Sequence, residues 1–151
     1  MRYFIRNKSG FSLVEIIAVL SLIGLVSIFG GMFLVQMVQS YQWAEDNAHL
    51  AQKSQVALTR ISVEMAYARS GTVVISEDSI EYEVDNTEYT NSISRNDDKL
   101  IFSTNGSEDT LIDRVIDTTR FENNGNYFEV KLTLKGRNQA PQEFTKEIPI
   151  P

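Results

Sequence analysis

The sequence predicts an α+β fold: one long N-terminal helix, its first half membrane-spanning, packed on an antiparallel β-sheet. Three observations carry this. No charged residue lies between Glu15 and Glu45. Apolar residues then recur at helical spacing to about Arg69. Beyond Gly71 the pattern changes to an alternation of period two. A length of 151 residues leaves room for one domain of ordinary size.

The first element is a basic head. Residues 1–9 hold Arg2, Arg6 and Lys8 and no acid, a charge of +3. The whole chain is −6, so the remainder sums to −9. An acidic body disfavours nucleic-acid binding, which needs clustered Lys and Arg against phosphate. The chain has no cysteine, which removes disulfides, thiolate zinc sites and a cysteine nucleophile.

The membrane segment follows. Of the twenty residues from Ile16 to Val35, thirteen are Leu, Ile, Val or Phe. As a helix they rise about 30 Å, the thickness of a hydrocarbon core. Those thirteen contribute roughly −4 to −8 kcal/mol to insertion, against about +2.5 to +3.5 for a carboxylate at mid-membrane. Insertion therefore wins with Glu15 present, and Glu15 lies near one end. The Lys/Arg bias keeps the head cytoplasmic and sends the acidic remainder across. A cleaved secretory signal would have a shorter apolar core and a small-residue cleavage site. Tyr41 and Trp43 fall just beyond the run, where amphipathic rings favour the headgroup layer.

The helix continues past the membrane. Ala44, Ala48, Ala51, Leu58, Ile61, Met65 and Ala68 form one apolar stripe, and Ser70-Gly71 is its stop. Unbroken over residues 11–69, the helix would be about 90 Å long. Strands are expected over residues 72–76, 80–84, 88–94, 99–103, 111–116 and 118–122. Ile80, Tyr82 and Val84 alternate with Glu81 and Glu83, as in a sheet with one wet face. Asn123-Asn124-Gly125-Asn126 makes a turn into residues 127–134, where Phe128, Val130, Leu132 and Leu134 alternate. A last strand covers residues 143–148.

One motif points to function. Gly10-Phe11-Ser12-Leu13-Val14-Glu15 before an apolar helix resembles the signal of type IV prepilins and type II secretion pseudopilins. The resemblance implies a pilin-like fold and cleavage between Gly10 and Phe11 by a membrane aspartic peptidase, which then N-methylates Phe11. It implies four regions: a leader, residues 1–10, which is removed; a transmembrane or filament-core helix, 11–38; its amphipathic continuation, 39–69; and an exported β-rich domain, 70–151. Major pilins usually carry proline at the position held here by Met32, preceded by Gly30-Gly31. The glycines weaken the helix by roughly 1 kcal/mol each, while Ser27 and Gly31 also suit close helix contact. The missing proline and the order of parts are similar to J-type minor pseudopilins and the corresponding minor pilins.

The chemistry of Glu15 stands beside that resemblance. Cleavage frees a cationic amine at Phe11, at the positive end of a helix dipole. Glu15 lies about 6 Å further along the axis. A neighbouring helix stepped by that distance brings its own amine to this carboxylate. Unit charges 4 Å apart attract by about 4 kcal/mol at an effective dielectric near 20, so the carboxylate marks the register of helix assembly.

No catalytic, cofactor or metal site is expected. His49, the one histidine, reads as a solvated helix position. The acidic pairs Glu77-Asp78, Asp97-Asp98 and Glu108-Asp109 lack calcium-loop spacing, and residues 96–98 and 105–109 read as solvated turns. The resulting expectation is a non-enzymatic minor subunit of a type IV pilus-like or type II secretion filament. It resides in the cytoplasmic membrane as a single pass before assembly. Its partners are prepilin peptidase and other pilins or pseudopilins, met through the N-terminal helix. The alternatives are a filament-tip binding or adhesion module and a plain anchored β-domain.

Overall fold

The computed structural model describes residues 10–85, 87, 89–137 and 140–151. Leader residues 1–9 lie outside these, as does Glu88 at the head of the expected strand 88–94. The chain divides into two compact units, the first ending at Gln42 and the second beginning at Trp43. The fold is α+β: helix α1 (Leu13–Ala66) precedes eight strands in two antiparallel sheets.

In the first unit every described residue is exposed. The apolar part of α1 is long enough to cross a membrane and none of it is buried, so this segment needs lipid or neighbouring helices as its cover. Two of its serines are settled for such a medium. Ser21 Oγ donates to the Ile17 carbonyl and Ser27 Oγ to the Ile23 carbonyl, both at 2.8 Å. The helix continues through Gly30 and Gly31.

In the second unit β1 (Val74–Ile75), β2 (Ser79–Glu83), β3 (Thr90–Asn96), β4 (Lys99–Thr104) and β5 (Ser107–Asp113) form a five-stranded meander. A second sheet joins β6 (Arg120–Asn123), β7 (Tyr127–Lys135) and β8 (Pro141–Pro149). The alternation anticipated in β2 and β7 is present: Ile80 and Tyr82, and Phe128, Val130, Leu132 and Leu134, are buried. They meet Leu50, Ala57, Leu58, Ile61 and Met65 of α1 in one core.

Leu58, Ile61, Met65 and Ala68 of the expected stripe are buried, but its first three members are not. Ala44, Ala48 and Ala51 are exposed, and Leu50, Ser54 and Ala57 are buried instead. Successive residues are about 100° apart around a helix, so the face toward the sheets is turned away from Ala44, Ala48 and Ala51. A methyl group offers little area, and the larger Leu50 decides the orientation.

The strand expected over 111–116 is broken. Arg114 adopts a left-handed backbone with φ 66, which ends β5 at Asp113. Val115 then bridges Leu134 in the other sheet. Thr119 extends that contact: its Oγ accepts the Thr133 N–H at 2.9 Å and donates to the Thr133 carbonyl at 3.2 Å. Of the expected turn at 105–109, only Asn105 and Gly106 turn, with φ 46 and 78. Ser107, Glu108 and Asp109 already belong to β5. The Asn-Gly pair suffices for a two-residue hairpin loop. The helix stops three residues before Arg69, because the Arg69 N–H donates to the Glu83 carbonyl at 2.7 Å and Ala68 bridges Val84. Gly71, at φ 80, completes the turn into β1.

Candidate functional site

Gly10 and Phe11 precede the helix, and both are exposed, Phe11 at 77 %. A Cβ at Gly10 would meet nothing within 4 Å, so nothing in the described chain requires glycine there. A requirement for glycine at that bond would come from a group approaching from outside.

Ser12 starts α1. Its carbonyl accepts from the Glu15 and Ile16 N–H groups at 3.0 and 3.2 Å. Ser12-Leu13-Val14-Glu15 has the spacing of a capping box, a signal for Ser12 that the sequence reading passed over. Glu15 therefore occupies the first turn, where the helix dipole favours negative charge. Among the described residues its carboxylate has no hydrogen-bond or ion-pair partner. Phe11, Glu15, Ile16, Val19 and Leu20 border a shallow concavity of about 320 Å³. The arrangement is an exposed anion on an apolar helix surface, beside the residue that cleavage would make N-terminal. It can pair with a cation brought by another chain.

The other singled-out residues have plainer settings. Tyr41 is 71 % exposed and Trp43 45 %. His49 is exposed beside Lys53, which is paired with Asp113 at 2.7 Å. Among the described residues no group of three or more His, Cys, Asp or Glu side chains could hold a metal. The pair Glu77-Asp78 is engaged: Glu77 binds Arg120, and Asp78 binds Arg95 at 2.7 Å. Phe121 N–H donates to the Glu77 carbonyl at 3.1 Å, so this turn ties the two sheets together. Asp97 holds a positive φ of 50 in the β3–β4 turn.

Two polar pins that hold the second unit escaped the sequence reading. Asp46 accepts from Arg114 Nη1 and Nη2 at 3.0 and 3.1 Å and from the Arg137 N–H at 2.8 Å. The hydrogen bonds from Arg114 hold the Asp46 carboxyl below the usual aspartate range, against an opposing contribution from burial. The buried Tyr82 phenol donates to Glu64 at 2.7 Å, and Glu64 also pairs with Arg60 at 2.8 Å. Burial, then the Glu64 carboxylate, pushes the phenol well above its ordinary pKa, so it stays protonated. Partners 68 residues apart, like Asp46 and Arg114, leave no local signature.

Residues 5–30 match the family described as the prokaryotic N-terminal methylation motif. No curated protein and no solved structure matches the chain.

Proposed function

We propose that this chain, which carries the N-terminal methylation motif of type IV prepilins and pseudopilins, is a minor structural subunit of a type IV pilus-like or type II secretion pseudopilus filament. The motif and the apolar helix mark a membrane-anchored, pilin-like precursor, which implies processing by prepilin peptidase and assembly with other pilins. The observation that carries the assembly reading is Glu15: a carboxylate with no partner among the described residues, four residues beyond Phe11, at the head of an apolar helical segment none of which is buried.

Before assembly the chain crosses the cytoplasmic membrane once, with the leader inside and the β-rich part exported. The peptidase cuts between Gly10 and Phe11 and methylates the new amine. Residues 11–38 then serve as the filament-core helix, 39–69 as its continuation and 70–151 as the outer domain. Glu15 recruits the N-terminal amine of a neighbouring subunit. A cation and an anion that are each costly in lipid relieve one another by docking, and that choice of register is beyond the Leu and Ile side chains around them.

Mass spectrometry of the membrane-extracted protein, expressed with its processing machinery, tests the reading. N-methylated Phe11 is the expected terminus, and Gly10→Ala should slow its appearance. A chain that still begins at Met1 would overturn the assignment.

A further inference from the structure

We propose that the outer edge of β5 accepts an extended segment of a partner protein as an added strand, apolar at alternate positions and bearing lysine or arginine where it meets Glu108 and Asp109. The inference rests on the second unit alone and is independent of the N-terminal processing described above.

The backbone comes first. β5 ends the five-stranded sheet, and among the described residues only β4 pairs with it. In a two-residue hairpin the flanking pair, here Thr104 and Ser107, exchanges hydrogen bonds, and bonded and non-bonded pairs then alternate. Phe102 and Asp109 form the next bonded pair, so the N–H and C=O of Glu108 and Thr110 point away from β4. The register then shifts between Leu100 and Ile101, leaving Leu111 as an extra residue on β5, and the regular edge runs over residues 107–110. β1, β6 and β8 are the other strands at sheet margins, and none of them sets an acidic pair beside an apolar groove as β5 does. β1 has two residues, and its turn is bonded to Phe121. β8 begins and ends in proline, which cannot donate to a neighbour. β5 contains no proline.

Beside this edge lies a groove of about 580 Å³ between β5 and α1, within the size range of occupied ligand sites. Val56, Leu111 and Ile112 give it an apolar floor, and Val56 is 68 % exposed. A strand laid on residues 107–110 would carry its following side chains past the bulge to that floor.

Charge selects the occupant. At the inner end Lys53 is paired with Asp113, and Lys99 stands nearby. At the outer end Glu108 and Asp109 are exposed, with no ion pair among the described residues. A second copy pairing edge to edge in the register that opposes these residues would set carboxylate against carboxylate, one of the devices by which natural edges refuse self-association. A cationic strand meets no such penalty.

The test uses the full-length protein in detergent micelles. The probes are an octapeptide of alternating valine and threonine ending in two lysines, and its counterpart ending in two glutamates. Hydrogen exchange should slow at the Glu108 and Thr110 amides with the lysine peptide, which should bind about tenfold more tightly than the glutamate one. Joint Glu108→Gln and Asp109→Asn replacement should erase that preference. Glu108→Pro removes an outward N–H that β4 does not use, and should weaken the lysine peptide at least tenfold. Unchanged exchange at Glu108 and Thr110 of the unaltered protein at millimolar peptide, or equal affinity for the two peptides, would overturn the proposal.

Discussion

Replacing Asp46 by asparagine should lower the stability of the second unit by about 2 kcal/mol at neutral pH. The carboxylate accepts three hydrogen bonds, two from Arg114 and one from the Arg137 backbone, at 2.8 to 3.1 Å. Hydrogen bonds to charged groups are worth about 1.5–3 kcal/mol each. Asparagine keeps one acceptor oxygen, turns an amino group toward the second donor and removes the charge. Rehydration of Arg114, whose side chain is 33 % exposed, returns part of the loss. For a unit of this size 2 kcal/mol corresponds to a fall in Tm of about 8–16 °C, read by near-ultraviolet circular dichroism of the protein in detergent micelles. The pH dependence is a second check. A carboxyl whose folded pKa is depressed contributes stability that is complete above its unfolded pKa, about 3.9, and lost as pH falls through the lower folded value. The gap between the two proteins should therefore be full at pH 7 and close below about pH 4. Equal melting at pH 7, or a gap that persists undiminished to pH 3, would refute the clamp.

Three further outcomes follow from the same geometry. Glu15→Ala should insert and be processed normally yet lose at least tenfold in cross-linking to neighbouring subunits; normal assembly would remove the register role. Tyr82→Phe should cost about 1–2 kcal/mol in urea denaturation, because Glu64, whose side chain is 12 % exposed, keeps only Arg60. A neutral result would mean that the phenol contributes nothing to the helix–sheet contact. The Thr133 hydroxyl oxygen is buried without a hydrogen-bond partner among the described residues, so Thr133→Val should raise stability by about 1 kcal/mol. A loss would show that the hydroxyl is satisfied in solution.

Features encoded within a few residues were legible without coordinates. The uncharged run after Glu15, the alternation of Phe128, Val130, Leu132 and Leu134, and the turn at Asn123-Asn124-Gly125-Asn126 each carry their own signal. In the structure Gly125 has φ 87 and its N–H donates to Asn123 Oδ1 at 2.8 Å, as such a turn requires. The candidate site at Gly10, Phe11 and Glu15 could be proposed from sequence because its parts lie within six consecutive residues.

What the sequence by itself determined is the division of this chain into an apolar helix with a carboxylate at its entrance and a β-rich remainder, because burial against lipid or a core is written in the periodicity of side chains. Only the tertiary structure decided that the remainder forms two sheets, that Leu50 and not Ala51 faces them, that Asp46 holds Arg114, and that β5 keeps an open edge. Those outcomes depend on which distant segments compete for the same surface. The left-handed turn at Arg114 and the ion pairs between separated strands exist only once the chain has folded back on itself, so no local pattern announces them.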